Sequence, residues 1–341
     1  MDLAGAAWMV REIGQPISAI YLCEDGRIIA GGWDGNLSVW DSDGNNLLSI
    51  ECGDRIETIA TLENRIIVTS GLNLVCILDK TIDWKFPLEG SADLLIIVDK
   101  QIVATSSVYD IEHGDFMEGA IWKFSSNGEL ISVNRIDERP WFVAHETNLI
   151  VGLGRPRCGI LIDEKHSLLP TESPVTCGYS KDKDIFFGHA DGSLSDINGN
   201  IICTEDHSIE SIDYMEQRLV LALDDNKIIS KTLDDKLMWF SEGPQITCHV
   251  LGFDLMHWCG RYNGAIGLVE VRSENGDLIA TLEDSKPKTA TADEKRVAIG
   301  FENGQIMVWS KELFSRRKDL KLESEIPRNL ELAAKLRSLR K

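Results

Sequence analysis

One pattern of apolar strands recurs eight times along the chain, and it constrains the fold more than any other feature. The stretch "GRIIAGGWDGNLSVWDSDGN" (26–45) matches "KRVAIGFENGQIMVWSKE" (295–312) near the other end. Each has an apolar strand, a small residue, a Gly-containing turn and a second strand that ends in Trp. Six further copies of the first strand lie between them: "RIIVTSG" (65–71), "QIVATSS" (101–107), "LIVGLGR" (149–155), "IFFGHAD" (185–191), "RLVLALD" (218–224) and "DLMHWCG" (254–260).

Each repeat also carries an apolar strand before this pair and, in most cases, another after it. Four short strands roughly every forty residues are typical of a β-propeller. A four-stranded sheet has two faces to bury, and radial stacking buries both. The sequence therefore predicts an all-β chain of eight four-stranded blades. Seven blades remain the alternative, if the fourth or the seventh repeat merges with a neighbour.

The two ends of the chain support a closed ring. The last repeat ends after its third strand at Trp309, whereas the segment "AAWMVREI" (6–13) is a spare strand ahead of the first repeat. Pairing the two would remove two exposed sheet edges. We predict that the N-terminal strand closes the last blade, with residues 1–312 forming the propeller and residues 313–341 a basic helical tail.

Charge is unevenly distributed between these parts. The net charge is −20, from 35 Lys and Arg against 55 Asp and Glu. Residues 311–341 hold ten of the basic and five of the acidic residues, so 25 basic and 50 acidic residues lie in 1–310. An acidic body repels phosphate backbones. We expect no nucleic-acid binding except through the basic residues 316–341.

The chain also carries indications of its compartment. No run of eighteen apolar residues is present, and "MDLAGAAWMVREIG" does not fit a signal peptide. The eight cysteines lie singly, without CxxC pairs or zinc-type spacing, as is typical of buried free thiols in a reducing compartment. We expect no membrane span and a cytoplasmic location.

The stretches "GGWDGNLSVWD" (31–41) and "GFENGQIMVWS" (300–310) resemble WD-repeat propellers, and "FGHADGSLSDI" (187–197) is a weaker match. The resemblance implies that the turn aspartate and the strand tryptophan support each blade through hydrogen bonds. The matching structural residues are Asp34, Trp40, Asp191 and Trp309. The family's Gly-His pair is missing from nearly every repeat, and Asn303 replaces the last aspartate. Outer strands such as "TIDWKFPLEG" (81–90) are similar to quinoprotein-like propellers instead.

Motifs that carry chemistry are absent from the sequence: no GxSxG, HExxH, Walker A or GxGxxG occurs. The stretch "GLGRPRCG" (152–159) lies between two strands and opens no helix, so it does not fit a phosphate loop. His249, His257 and Cys259 could converge in the seventh repeat. We interpret them as satisfied, half-buried core residues because a zinc site would need a fourth ligand. We expect no enzymatic activity, no cofactor and no metal.

Turns between second and third strands share one face of a propeller with the connections between blades. Exposed arginines and aromatics on such a face are typical of protein-interaction sites. We expect this face to bind a protein or an acidic or aromatic peptide, and reversal of Arg155 and Arg157 together to abolish capture without unfolding. The candidate partner-binding residues are Trp33, Asp34, Tyr109, Phe116, Arg139, Trp141, Arg155, Arg157, His189, Arg261 and Tyr262.

Beyond Trp309 the sequence predicts a basic amphipathic helix in which Leu332, Leu336 and Leu339 share one face. The helix could pack on the acidic rim of the propeller, dock into a groove of a partner, or anchor the chain to RNA or a membrane surface. A non-catalytic protein-interaction scaffold is the function that the sequence favours. The alternatives are a small-molecule-binding or enzymatic quinoprotein-like propeller, and an RNA-associated assembly factor that uses the tail.

Overall fold

The computed structural model describes residues 1–181 and 183–317, and over these residues the chain forms an eight-bladed β-propeller. Every blade is a four-stranded antiparallel sheet. The first strand of each blade lies innermost in the ring, and the fourth lies outermost. The predicted number of blades is confirmed, including separate sheets for the fourth and the seventh repeat.

The strands are numbered in chain order, beginning with β1 (Met9–Glu12). Blades 1 to 4 contain β2 (Ile17–Leu22), β3 (Ile28–Gly32), β4 (Asn36–Trp40), β5 (Asn46–Glu51); β6 (Ile56–Leu62), β7 (Arg65–Ser70), β8 (Asn73–Leu78), β9 (Thr81–Pro87); β10 (Ser91–Val98), β11 (Gln101–Asp110), β12 (Asp115–Phe124), β13 (Leu130–Ile136); and β14 (Pro140–His145), β15 (Leu149–Leu153), β16 (Ile160–Ile162), β17 (Lys165–Ser167).

Blades 5 to 7 follow in the same order, and blade 8 takes its fourth strand, β1, from the N-terminus. Their remaining strands are β18 (Val175–Lys181), β19 (Asp184–His189), β20 (Ser193–Asp196), β21 (Ile201–Thr204); β22 (Ile209–Met215), β23 (Arg218–Leu223), β24 (Ile228–Thr232), β25 (Leu237–Ser241); β26 (Gln245–Leu251), β27 (His257–Tyr262), β28 (Gly267–Arg272), β29 (Leu278–Asp284); and β30 (Pro287–Ala292), β31 (Arg296–Phe301), β32 (Gln305–Ser310). A helix, α1, covers residues 311–317.

Closure of the ring joins the two ends of the chain. Strand β1 pairs antiparallel with β32, and Met9 lies opposite Val308. The Trp8 amide extends this ladder, because it donates to the Val308 carbonyl oxygen at 2.7 Å. The predicted closing strand is therefore confirmed, although its regular part, Met9–Glu12, is shorter than 6–13.

The hydrophobic core is divided into eight clusters, one at each contact between neighbouring blades in the described part of the chain. The cluster between blades 7 and 8 contains Trp258, Trp309 and Phe314, all fully buried. Each blade thus buries both of its faces against neighbours. Apolar burial is the main stabilising term in folding, so no blade is expected to be stable alone.

Glycines at the ends of second strands set how closely neighbouring blades approach. A Cβ atom at Gly31 would lie 2.6 Å from Cγ2 of Ile56, at the start of the next blade. A Cβ atom at Gly260 would lie 2.6 Å from Cβ of Pro287, across the contact between blades 7 and 8. Real Cβ atoms do not approach this closely, since interiors are already close-packed. The small residue that recurs in the sequence is therefore required by blade-to-blade packing.

The seventh repeat departs from the predicted strand "DLMHWCG" (254–260). A short 3-10 turn, Phe253–Leu255, precedes β27, which begins only at His257. Asp254 and Leu255 have positive φ angles of 57° and 52°. Since L-residues in the left-handed region cannot continue a strand, the predicted start was wrong by three residues.

Loops from each side of the sheets form the two faces of the ring. The upper face carries the turns between second and third strands and the blade-to-blade connections. The lower face carries the remaining turns and α1. Over residues 1–181 and 183–317, the structure contains no helix with the length and apolar composition of a membrane-spanning segment. The predicted leucine stripe of Leu332, Leu336 and Leu339 lies outside the described residues.

Candidate functional site

The upper face holds most of the candidate residues, because they lie in turns 33–35 and 154–159 and connection 137–139. Backbone hydrogen bonds join these loops within and between blades. The Cys52 amide donates to the Gly35 carbonyl oxygen at 2.8 Å, and the Gly154 amide donates to the Arg139 carbonyl oxygen at 3.3 Å. The loops are thus held by the rigid ring, which is the usual arrangement of binding loops on a scaffold.

Four candidates from blades 3 and 4 form one cluster. The Arg139 guanidinium carbon lies 4.3 Å from the ring centroid of Phe116 and 4.3 Å from that of Trp141. Phe116 in turn makes edge contacts with Trp141 at 6.1 Å and with Tyr109 at 5.2 Å between centroids. Cation–π and edge-to-face contacts each stabilise such arrangements by on the order of 1 kcal/mol.

A buried carboxylate fixes the position of Arg139. Asp93 accepts a hydrogen bond from Nη2 of Arg139 at 3.1 Å and another from the Ser107 hydroxyl at 2.6 Å. Burial raises the pKa of Asp93, while the Ser107 hydrogen bond and the Arg139 charge oppose that shift. The guanidinium is thus held in place between the aromatic rings by a partner from the inner strand of blade 3.

The long insertion 108–119 is an extended hairpin between the second and third strands of blade 3. Strands β11 and β12 continue to Asp110 and Asp115, with Tyr109 opposite Phe116. Alternating strand geometry puts Phe116 on the Arg139 cluster, while Ile111 at the tip is 88% exposed. The hairpin therefore projects a partly apolar edge beyond the ring.

Arg155 and Arg157 have different roles. Arg157 donates to Oε1 of Glu138 through Nε at 2.9 Å, and its amide donates to Oε2 at 3.0 Å. Glu138 is fully buried. Arg155 is exposed and forms no ion pair with a described residue. Of these two arginines, only Arg155 is unpaired and available to a partner.

Reversing Arg157 should therefore destabilise the fold, against the expectation that both arginines could be reversed harmlessly. In Arg157→Glu the buried Glu138 loses its counter-charge, so we expect the free energy of unfolding to fall by about 2 kcal/mol. Urea unfolding measures this change. Arg155→Glu is the matched control and should stay within about 0.5 kcal/mol of the unsubstituted protein. Equal unfolding midpoints for the two variants would contradict the structural role of Arg157.

Trp33, Asp34 and Tyr262 lie elsewhere on the upper face. The Trp33 ring has the guanidinium of Arg55 at 4.0 Å and the ammonium of Lys288 at 4.8 Å from its centroid. Tyr262 has the ammonium of Lys286 at 4.8 Å. Among the described residues, no ring or cation–π contact joins these aromatics to the cluster around Arg139, so the predicted site is split into separate patches.

His189 and Arg261 are corrections, because both are buried and cannot meet a partner. Nε2 of His189 lies 2.8 Å from the Ser195 hydroxyl, and burial lowers the pKa of the imidazole. Arg261 donates through Nη1 to the carbonyl oxygens of Pro244 at 2.8 Å and Asn226 at 3.0 Å. His189 thus bonds within blade 5, whereas Arg261 of blade 7 holds a turn of blade 6 and the connection between blades 6 and 7.

The residues that the family resemblance marks as structural are placed as follows. Asp191 accepts hydrogen bonds from the amide and the hydroxyl of Ser193, at 3.0 and 2.6 Å, and so closes its turn. Trp309 is buried and donates through Nε1 to the Leu3 carbonyl oxygen at 2.9 Å. Trp40 is buried, whereas the Asp34 carboxylate is exposed and bonds no described residue. Asp34 and Trp40 are not joined by a hydrogen bond.

Within residues 1–181 and 183–317, His249 and His257 find no hydrogen-bond partner, contrary to the interpretation from sequence. Their rings lie 5.4 Å apart, and both nitrogens of each ring lack a partner among the described residues. Burial lowers the pKa of His249 to about 4 and that of His257 well below 6.5. Both imidazoles are therefore neutral near pH 7.

Another cluster of possible metal ligands is occupied by a cation of the chain itself. Cys203, Glu205 and Asp235 have donor atoms within 4.8 Å of one another. The Lys231 ammonium lies 2.5 Å from Glu205 and 2.8 Å from Asp235. These carboxylates raise the pKa of Lys231 against the opposing effect of burial. The cluster is thus an internal ion-pair network.

Comparisons with known proteins bear on the fold. No family model and no curated protein matches the sequence. Among solved structures, BamB from Moraxella catarrhalis has a TM-score of 0.71 at 12% identity, covering 89% of this chain and 99% of that chain. Sqt1 from Saccharomyces cerevisiae has a TM-score of 0.71 at 11% identity, covering 89% and 98%. The Cps50 (Swd1) β-propeller domain from Myceliophteria thermophila has a TM-score of 0.58 at 13% identity, covering 89% and 98%.

Proposed function

We propose that this chain is a non-catalytic platform of the WD-repeat type that binds a protein or peptide through its upper face. The observation that carries the proposal is the exposed edge formed by the hairpin of blade 3 and by blade 4. Tyr109 is 52% exposed, Ile111 88%, Met117 43% and Trp141 40%. Grouped apolar exposure of this kind on a soluble protein is typical of a binding surface.

Preorganisation supports the same function. The exposed aromatics are held by Arg139, which itself is fixed by Asp93 at 3.1 Å. A surface that is ordered before binding loses less conformational entropy when the partner arrives. The proposal therefore rests on this ordered edge of the ring. The β-propeller fold alone does not determine function.

The partner that fits this edge is an apolar or aromatic segment that also carries negative charge. Arg155 follows Gly154, and a Cβ atom at Gly154 would lie 2.7 Å from Nε1 of Trp141. The backbone that carries Arg155 therefore starts beside the apolar edge. Aromatic and arginine side chains are enriched among the residues that dominate protein interfaces.

We further propose a cytoplasmic location. All eight cysteines are free thiols, and none is exposed. Burial raises the pKa of several of them, including Cys177 to about 12 and Cys52 to about 11. Unpaired, unreactive thiols are the usual state in a reducing compartment.

Substituting the tip of the hairpin tests the proposed function. Ile111→Asp combined with Tyr109→Ser removes two exposed apolar side chains from the edge. We expect capture of specific partners from native lysate to fall about tenfold or more, since interface anchors each contribute about 1–2 kcal/mol. Quantitative mass spectrometry of the captured proteins provides the measurement.

Leu237→Asp is the matched control, because Leu237 is 51% exposed and lies on β25, the outermost strand of blade 6, outside the docking edge. Its set of captured proteins should equal that of the unsubstituted chain. Unchanged capture by the double variant, with its thermal unfolding intact, would contradict this docking edge.

A further inference from the structure

We propose that residues 318–341 of this chain bind to an acidic groove on its own lower face. The proposal is independent of the upper-face function, and it commits to an intramolecular occupant. Three features favour this occupant: the point where the described chain ends, the lining of the neighbouring surface and the composition of the segment.

Helix α1 fixes the point from which this segment leaves the propeller. Phe314 is fully buried, with its ring 5.5 Å from Phe253 and 5.4 Å from Trp258 between centroids. The Lys311 ammonium pairs with Asp254 at 2.6 Å. The Lys311 amide donates to the Lys295 carbonyl oxygen at 2.8 Å. The segment therefore starts from an anchored position on the lower face.

Two open grooves flank α1 and share Glu294 and Lys311 in their linings. The first groove, of about 680 Å³, extends over the lower ends of blades 5 to 8. The second groove, of about 1190 Å³, lies between α1 and the turns of blades 1 and 8, and Ser315 and Arg316 line it. The described part of the chain, which stops at residue 317, thus ends at the border of a continuous concave surface.

The lining of both grooves is acidic. The first groove is lined by Asp184, Glu216, Asp254, Glu274 and Glu294. The second is lined by Glu24, Asp25, Asp293, Glu294 and Glu312. The two linings together contain nine carboxylates and five cationic side chains, so their combined charge is negative.

Three of these carboxylates lack a partner among the described residues, whereas others are paired. Asp293 pairs with Arg296 at 2.6 Å and Glu274 with Arg218 at 2.7 Å. Glu24, Glu216 and Glu294 form no ion pair or hydrogen bond with any described side chain. Unpaired like charges on a concave surface attract a cationic ligand.

The composition of the segment complements this surface. Residues 318–341 contain seven Lys and Arg against four Asp and Glu, together with six Leu and one Ile. The grooves also offer apolar and aromatic lining, including Trp8, Met215, Phe253 and Leu255. Both the charge and the apolar side chains of the segment therefore find complementary partners on the lower face.

Covalent attachment favours this occupant over a separate molecule. A segment that begins at the edge of its own binding surface has an effective concentration on the order of millimolar. Modest intrinsic affinity is then enough for the groove to be mostly filled. A basic segment of another protein would have to compete with it.

Limited proteolysis of the full chain tests the proposal. In Glu216→Lys/Glu294→Lys, two unpaired carboxylates become cations, so the segment should be released. We expect chymotrypsin to cleave within 318–341 about tenfold faster in this variant, because cleavage follows the unbound population. Intact mass spectrometry identifies the cut positions. About 0.5 M salt should raise the rate for the unsubstituted chain, since salt screens exposed charges.

The matched control is Glu172→Lys/Glu302→Lys, which makes the same change of charge at exposed positions of the upper face. It should be cleaved at the rate of the unsubstituted chain. Thermal unfolding of both variants verifies the fold, and Glu216→Gln/Glu294→Gln replaces the reversal if it unfolds the chain. Equal cleavage rates for the groove variant and the unsubstituted chain would overturn the proposal, as would equal acceleration in the control.

Discussion

A chain that lacks residues 1–13 should lose most of its stability, because those residues complete blade 8. The deletion removes β1 together with Leu3, Ala6 and Met9, whose side chains are all buried. It also removes the acceptor of the Trp309 indole, the Leu3 carbonyl oxygen at 2.9 Å. Loss of a buried Leu or Met side chain alone costs about 2–5 kcal/mol.

The summed loss is about 5 kcal/mol or more, against a typical total stability of 5–15 kcal/mol for a folded domain. We expect the thermal midpoint to fall by roughly 10 °C or more, or the truncated chain to become insoluble. Circular dichroism during heating measures this. A synthetic peptide of residues 1–13, added in excess, should restore part of the lost midpoint.

The control for this deletion is Val10→Ala within the full chain. Val10 lies in the same strand but points outward and is partly exposed, so its truncation should change stability by less than about 0.5 kcal/mol. A deletion variant that melts within 2 °C of the full chain would show that closure by β1 contributes little.

The histidine pair between blades 6 and 7 should make the fold sensitive to acid. Burial lowers the pKa of His249 to about 4, and burial together with nearby positive charges lowers that of His257. In the unfolded chain both would titrate near 6.5. Between these values the unfolded state binds more protons than the native state, so stability falls as pH falls below about 6.5.

Groups on both sides of the contact face these rings. The Trp239 ring of blade 6 lies 5.6 Å from His257, and Arg261 and Arg272 of blade 7 add positive charge that disfavours protonation. Glu270 lies 3.5 Å from Arg261 and 3.3 Å from Arg272, so it partly offsets them. No acid that could stabilise an imidazolium directly is paired with either ring in the described part of the chain.

Urea unfolding at pH 7 and pH 5 measures the effect, with His249→Gln/His257→Gln as the comparison. We expect the unsubstituted protein to lose about 3–4 kcal/mol more than the double variant over this interval, since each of the two histidines contributes nearly 2 kcal/mol by roughly 1.4 kcal/mol per pKa unit. Burial raises the pKa of Asp213 to about 6, so this carboxyl adds stability as the pH falls, opposite to the histidines. Because both proteins contain Asp213, its contribution cancels in the comparison. Identical pH dependence of the two proteins would contradict the prediction.

The number of blades and the closing strand could be predicted from sequence because both depend on patterns that repeat. Eight copies of one strand leave few arrangements that bury both faces of each sheet. The unpaired last edge at Trp309 then required a partner, and β1 was the spare strand available. Errors were confined to boundaries, as at Asp254, where the backbone turns into the left-handed region.

Residue placement within the upper face was predicted less well. Period-two alternation assigns a residue to one side of a sheet, but in a propeller both sides are buried. His189 and Arg261 lie near strand ends where the sequence indicated exposure, yet their polar atoms bond carbonyl and hydroxyl oxygens of neighbouring strands and loops. Tyr109, Phe116, Arg139 and Trp141 were predicted only to lie on one face, and their direct contacts with one another depend on the hairpin of blade 3, which the local pattern does not indicate.

The unsatisfied histidines were beyond what sequence could indicate. His249 and His257 lie on neighbouring strands. The order of polar and apolar residues in these strands is like that in the other blades. Whether a ring nitrogen meets a donor depends on the facing blade, and blade 6 supplies Trp239 there rather than a polar group. Such a contact between blades is not encoded in the local pattern of either strand.

Glycines such as Gly31, which let the inner strand of the next blade approach closely, affect the geometry of the whole ring. Around a closed circle the angular steps between sheets must add to one full turn. A bulkier residue at Gly31 would increase the angle between blades 1 and 2. The angles between the other blades would then have to decrease. We expect the ring to accept a larger side chain there only when Ile56 is made smaller in the same molecule, so that the circumference is conserved.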